Sequence, residues 1–114
     1  MSRTPLTTHV LDTGSGKPAA GLPVTLERQV ELGFVSIGQG VTNSDGRLSD
    51  PLVQGDWDAG VYRITFDTAT YFEAQKIKGF YPTVKVVFEV TEPESHHHVP
   101  LLLSPFGYST YRGS

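Results

Sequence analysis

Histidine is the side chain whose charge changes nearest neutrality, so the four histidines of this 114-residue chain set the range of chemistry it can carry. Three are consecutive, His96-His97-His98, and the fourth, His9, lies in the alternating run Leu6-Thr7-Thr8-His9-Val10-Leu11-Asp12. On an extended strand His96 and His98 share one face and His97 points to the other. Two same-face histidines with a distant third are a familiar start to a zinc site, and His9 is the candidate third ligand. The same imidazoles suit a metal-free acid–base site, and a sandwich surface also carries such groups as solvated polar side chains. Spacing alone leaves these three readings open.

Two arginines and the C-terminal segment extend the list of candidates. Arg47 directly follows the Asp45-Gly46 turn. It is either a solvated hairpin-end residue or a clamp whose permanent charge donates two parallel hydrogen bonds to a carbonyl or carboxylate. Arg112 admits the same two readings. The segment from Pro105 through Phe106, Tyr108 and Tyr111 to Ser114 stays β-prone and aromatic throughout, and Ser114 brings a small hydroxyl beside an α-carboxylate. Terminal segments are usually polar and frayed. One this adhesive is expected to dock, as an edge strand with an apolar contact between copies or as the lining of a site.

Composition narrows the field. The absence of cysteine excludes disulfides, cysteine–zinc sites and a cysteine nucleophile, and it fits a reducing compartment. Nine basic against 12 acidic residues give a net charge of -3 with no basic stripe, so nucleic acid is not an expected partner. No stretch approaches the ~20 apolar residues that span a bilayer. Residues Met1 to Asp12 lack the basic start and apolar run of a secretory leader. The expectation is one cytoplasmic domain over residues 1–114, with no membrane partner.

The elements that must position these groups read as short strands between glycine- and proline-rich turns. Strands are predicted at Leu6–Asp12, Pro23–Glu31, Phe34–Thr42 (broken by Gly38 and Gly40), Val61–Asp67, Thr83–Thr91, Val99–Leu103 and Gly107–Arg112. Pro100 marks an edge or a strand start. Thr13–Pro18 reads as a loop, and Asn43-Ser44-Asp45-Gly46 as a hairpin turn. Thr68–Lys78 loses the alternation and predicts a short helix, capped by Thr68 or Thr70 and ended by Gly79. These seven runs read as most of an eight-strand sandwich with one helix after the Val61–Asp67 strand.

Three blocks carry a more specific signal. The first is Leu6-Thr7-Thr8-His9-Val10-Leu11-Asp12 with Gly14 and then Gly21-Leu22-Pro23-Val24. The second is Thr42-Asn43-Ser44-Asp45-Gly46-Arg47, with Gly60-Val61-Tyr62 beyond it. The third runs from His96 through His98-Val99-Pro100-Leu101-Leu102-Leu103-Ser104-Pro105 to Tyr108-Ser109-Thr110-Tyr111-Arg112-Gly113-Ser114. In these blocks the chain resembles the transthyretin-related family, the 5-hydroxyisourate hydrolases, and the terminal Tyr-Arg-Gly-Ser is the most specific match.

The resemblance implies an all-β, transthyretin-like (prealbumin-like) sandwich of two four-stranded sheets with one short helix. It implies a homotetramer, a dimer of dimers, with sites in the channel between dimers. The implied reaction is hydrolysis of 5-hydroxyisourate to 2-oxo-4-hydroxy-4-carboxy-5-ureidoimidazoline in urate catabolism, without metal or cofactor. His9, Arg47 and His98 match the family's catalytic set, and Ser114 joins them. Tyr111, Arg112 and Gly113 match its terminal, substrate-binding motif. His97 departs from the pattern, which has tyrosine there. His9 is assigned as general base toward water with His98 as its partner in proton transfer, and these two roles are interchangeable on the sequence. Three rival classes are a hormone-carrier-like binding module, a zinc hydrolase using His9, His96 and His98, and a structural sandwich of the carboxypeptidase-regulatory type.

Overall fold

The computed structural model describes residues 5–114; the reading of the chain's start as leaderless rests partly on Met1–Thr4, which lie outside them. Alternation of apolar and polar residues drives the architecture. In β1 (Leu6–Asp12) and β5 (Gly60–Phe66) every second side chain is buried, as a sheet with one covered face demands. The other strands are β2 (Lys17–Pro18), β3 (Pro23–Val30), β4 (Gly33–Val41), β6 (Val84–Val90), β7 (His97–Ser104) and β8 (Gly107–Thr110), with helix α1 (Thr68–Ala74) between β5 and β6. They form two four-stranded sheets, ordered β2-β1-β7-β8 and β4-β3-β5-β6. The fold class is the expected one. Between the sheets lie Val10, Leu26, Tyr62, Ile64, Phe66 and Leu101, all fully buried.

Ladders are antiparallel with one exception. β1 and β7 run parallel, pairing Leu6–Asp12 with His97–Leu103. That pairing joins segments 91 residues apart. β4 is not interrupted at its glycines; a register shift between Leu26 and Glu27 of β3 absorbs one extra residue of β4 as a bulge.

Several boundaries differ from the sequence reading. The eighth strand is the two-residue β2, inside the expected loop. The helix is capped by Asp67, not by Thr68 or Thr70: its carboxylate accepts from the Thr70 N–H (3.1 Å) and hydroxyl (2.7 Å). It ends at Ala74, ahead of Gly79, and Lys76 takes the positive φ of 58° that follows the cap. β8 stops at Thr110 rather than Arg112. β7 starts at His97, two residues early, and Pro100 lies inside a central strand instead of at an edge. Proline is tolerated there because the β7–β8 ladder ends at Leu101↔Thr110. No β8 carbonyl needs the N–H that Pro100 lacks, and its own carbonyl accepts from the Thr110 hydroxyl at 2.7 Å.

Asp12, 3% exposed, closes β1. Its Oδ1 accepts from the Gly14 and Ser15 N–H groups, and its Oδ2 from the Tyr71 hydroxyl at 2.7 Å, which ties the helix to this sheet. Burial, and then the Asp12 carboxylate, push the Tyr71 phenol above the usual tyrosine range, so it remains a donor. Among the described residues no helix is long and apolar enough to cross a membrane.

Candidate active site

The parallel ladder does what the sequence alone cannot. It sets Thr7 opposite His98 and His9 opposite Pro100. The alternation that buries Leu6, Thr8 and Val10 of β1, and His97, Val99 and Leu101 of β7, turns Thr7, His9 and His98 to the outer face of the sheet. His97 is indeed on the other side: 5% exposed, it packs edge-on against Trp57 (5.5 Å between centroids), with Nδ1 at 2.9 Å from the Ser95 carbonyl.

Arg47 arrives from a different element. The Asn43 side chain accepts from the N–H groups of Asp45 (2.9 Å) and Arg47 (3.2 Å), which winds the turn. Gly46 completes it at φ +75°. Its carbonyl accepts from the Val10 N–H at 2.9 Å. A Cβ here would strike the Val10 carbonyl oxygen and lie 3.3 Å from His9 Cδ2, so glycine lets the turn press onto β1. Arg47, exposed, thereby forms an isolated antiparallel bridge with His9.

His98 is held from two sides. Its Nδ1 lies 2.8 Å from the Thr7 hydroxyl, and the same oxygen lies 3.0 Å from His96 Nε2. On the other flank Gly113 bridges to His98, its N–H donating to the His98 carbonyl at 2.8 Å. A Cβ on Gly113 would overlap Cδ2 of the ring and stand 3.0 Å from Cγ, so the backbone rests directly on the imidazole. Burial lowers the His98 pKa; a hydrogen bond with the Thr7 backbone opposes this, and the charges of Arg47, His96 and His9 reinforce it. His98 is thus kept neutral at neutral pH, the state a proton acceptor needs.

The four candidates His9, Arg47, His98 and Gly113 therefore stand on one patch of the outer face. Tyr111, Arg112 and Ser114 are exposed around it, with Tyr111 57% exposed. Arg47 and His98 line separate depressions: one includes Thr7, Leu48 and Ser49, the other Phe88, Tyr111 and Arg112. Among the described residues no group of three or more His, Cys, Asp or Glu side chains is arranged to hold a metal ion, so His9, His96 and His98 do not form the ligand set their spacing left open. Two contributors were missed by sequence reasoning, Thr7 and Gly46. Thr7 had a visible signal, since it shares the face of His9 at a spacing of two.

Known proteins bear on this arrangement. A family model described as HIUase/Transthyretin family matches residues 6–113. A curated relative, the 5-hydroxyisourate hydrolase of Mus musculus, is 46% identical over 112 residues, covering 96% of this chain and 95% of its own. The solved 5-hydroxyisourate hydrolase of Klebsiella pneumoniae superposes with a TM-score of 0.82 at 34% identity, covering 96% and 98% of the two chains. Transthyretin from Sparus aurata superposes with a TM-score of 0.90, also at 34% identity, with 97% of each chain covered. An (S)-allantoin synthase structure matches with a TM-score of 0.89 at 39% identity over 99% of this chain, which spans only 44% of that longer one.

Proposed function

The chain belongs to the HIUase/Transthyretin family, and from that membership we propose that it hydrolyses 5-hydroxyisourate, opening the ring at an acyl C–N bond in urate catabolism. Relatives named for this activity match nearly the whole chain. The observation that carries the reading to a site is the pairing that puts His9 and His98 on one face, with Arg47 bridged to His9.

In the proposed reaction the oxygen of water bonds to the carbonyl carbon, and the carbonyl oxygen gathers negative charge. Then the C–N bond breaks, leaving a carboxyl group and a protonated nitrogen. Of the two interchangeable roles, the acceptor's goes to His98, whose lowered pKa keeps it neutral: His98 takes the proton from water, and His9 is its partner in delivering one to the leaving nitrogen. Two neighbouring imidazoles resist double protonation, which suits such an exchange. Arg47 stabilises the growing oxyanion through its guanidinium donors. Ser114 holds the water, Tyr111 and Arg112 wall the substrate, and Gly113 seats the segment on His98. The chemistry as drawn uses these side chains and water alone.

A homotetramer, as a dimer of dimers, belongs to the same proposal. It is supported by the open outer face on which the patch lies. It is also supported by the exposed apolar residues Val87, Tyr108 and Tyr111 on and beside the edge strands β6 and β8. Residues 1–114 act as one domain in this reading. A cytoplasmic setting is part of it, since a chain without cysteine needs no oxidising compartment to fold.

The test is an ultraviolet assay in which urate oxidase generates 5-hydroxyisourate in place. Faster decay of its absorbance on adding the protein is the expected result. A decay unchanged by a folded tetramer overturns the reading. Ligand retention without consumption would favour a carrier, the alternative raised by the close superposition on transthyretin.

A further inference from the structure

The Thr7 hydroxyl stands between two imidazoles, 2.8 Å from His98 Nδ1 and 3.0 Å from His96 Nε2. A hydroxyl has one proton to donate and two lone pairs to accept with, so it cannot donate to both rings. At least one ring must donate to it. Whether His98 is that ring sets which of its nitrogens carries the proton, because a neutral imidazole with Nδ1–H has a bare Nε2, and the reverse. The only ring nitrogen of His98 left over for the reaction is Nε2, since Nδ1 is engaged by Thr7. It sits beside Cδ2, the atom against which Gly113 packs.

We propose that Thr7 is a positioning residue. Its oxygen accepts from His98 Nδ1–H and its proton turns toward His96 Nε2, so that His98 Nε2 is held bare and faces the site. The inference rests on the proposed role of His98 in proton transfer and deepens it, because it names the group that prepares the ring. The placement is built into the fold. Thr7 and His98 are direct register partners in the parallel ladder, and both strands carry buried neighbours on their inner face that prevent a slip. The arrangement matches the way an imidazole at a reactive centre is oriented by a partner on its other nitrogen. Thr7 touches neither substrate nor water in this scheme. Its effect passes through the His98 ring.

The experiment combines histidine tautomer analysis and kinetics on the full chain. Long-range 15N–1H spectra of the 15N-labelled protein near pH 8 report which nitrogen of each neutral ring is protonated, with His98 assigned by the signals lost in His98→Gln. Expected is His98 protonated at Nδ1 in the unaltered protein and in Thr7→Ser, with the proton moved to Nε2 in Thr7→Val, which keeps the shape and removes the hydroxyl. In turnover of 5-hydroxyisourate, Thr7→Val should lose about tenfold or more in kcat with KM little changed, and Thr7→Ser should stay within about threefold of the unaltered protein. An Nε2–H tautomer in the unaltered protein, or the same Nδ1–H tautomer in Thr7→Val, overturns the proposal. So does a kcat for Thr7→Val equal to that of the unaltered protein. If the tautomers behave as expected but the unaltered protein does not hydrolyse 5-hydroxyisourate, the functional reading fails while the placement of the proton stands.

Discussion

Gly113 rests on the ring of His98. Its N–H donates to the His98 carbonyl at 2.8 Å, and a side chain on it would collide with Cδ2 of the imidazole. The pairing gives the Tyr-Arg-Gly-Ser segment a physical role: it can only lie where it does if the third of its residues has no Cβ.

Gly113→Ala is therefore expected to lift this segment from His98. Because Tyr111, Arg112 and Ser114 are exposed, the melting temperature should hardly change. Turnover should fall by about 10²-fold, the scale of a small displacement of a positioned group, and deletion of Tyr111–Ser114 should abolish it. Thermal melts beside the ultraviolet assay check both, and a fully active Gly113→Ala would separate the segment from catalysis.

His98→Ala and Arg47→Ala should each leave a folded protein, since both groups face outward. The expected losses in kcat are about 10²–10⁴-fold for the proton-transfer group and about 10²–10³-fold for the oxyanion clamp. Near-normal rates from either variant, with an unaltered circular dichroism spectrum, would remove that residue from the mechanism.

The pH dependence follows from the lowered His98 pKa, set first by burial. A neutral His98 is needed for turnover, so the acidic limb of kcat/KM should lie below the ordinary imidazole value of about 6.5. Stability moves in the same direction. Below that value the unfolded chain binds a proton at His98 that the folded chain resists. Its contribution is thus complete above pH ~6.5 and is lost as pH falls through the folded-state value. Urea midpoints between pH 5 and 7.5 should show this slope, and His98→Gln should flatten it. An acidic limb above pH 7 would contradict the assignment.

Tyr71→Phe tests the tie between helix and sheet. It leaves Asp12 Oδ2 buried without its donor while Oδ1 keeps Gly14 and Ser15. The expected cost is about 1–3 kcal/mol of unfolding free energy. Denaturant titration measures it, and an unchanged midpoint would mean that water replaces the phenol.

Much of this was legible because a strand with one buried face writes itself into the sequence. The alternation around His9 and around His98 fixed their facing, and the Asp45-Gly46 turn located Arg47. What was not legible lies in pairings between distant segments. Nothing local in Leu6–Asp12 announces a parallel neighbour, so the meeting of Thr7 with His98 stayed hidden. For the same reason Pro100 read as an edge signal, although it lies in a central strand where the β7–β8 ladder stops at Leu101, one residue short of it. The helix cap was misread because Thr68 and Thr70 are themselves good caps. Asp67 won by reaching both donors of Thr70.

The parallel β1–β7 pair also orders events during synthesis. β3 to β6, residues 23–90, form one sheet from neighbouring stretches of chain, whereas β1 must wait for a partner 91 residues downstream. Closing so long a loop is slow relative to local pairing. On a ribosome making about 5–20 residues per second, this sheet has about a second to assemble before β7 follows β6. His9 and His98 meet only after that, so a nascent chain stalled before β7 has a nearly complete sheet but no paired histidines, and β1 is left exposed for a chaperone or another chain to find.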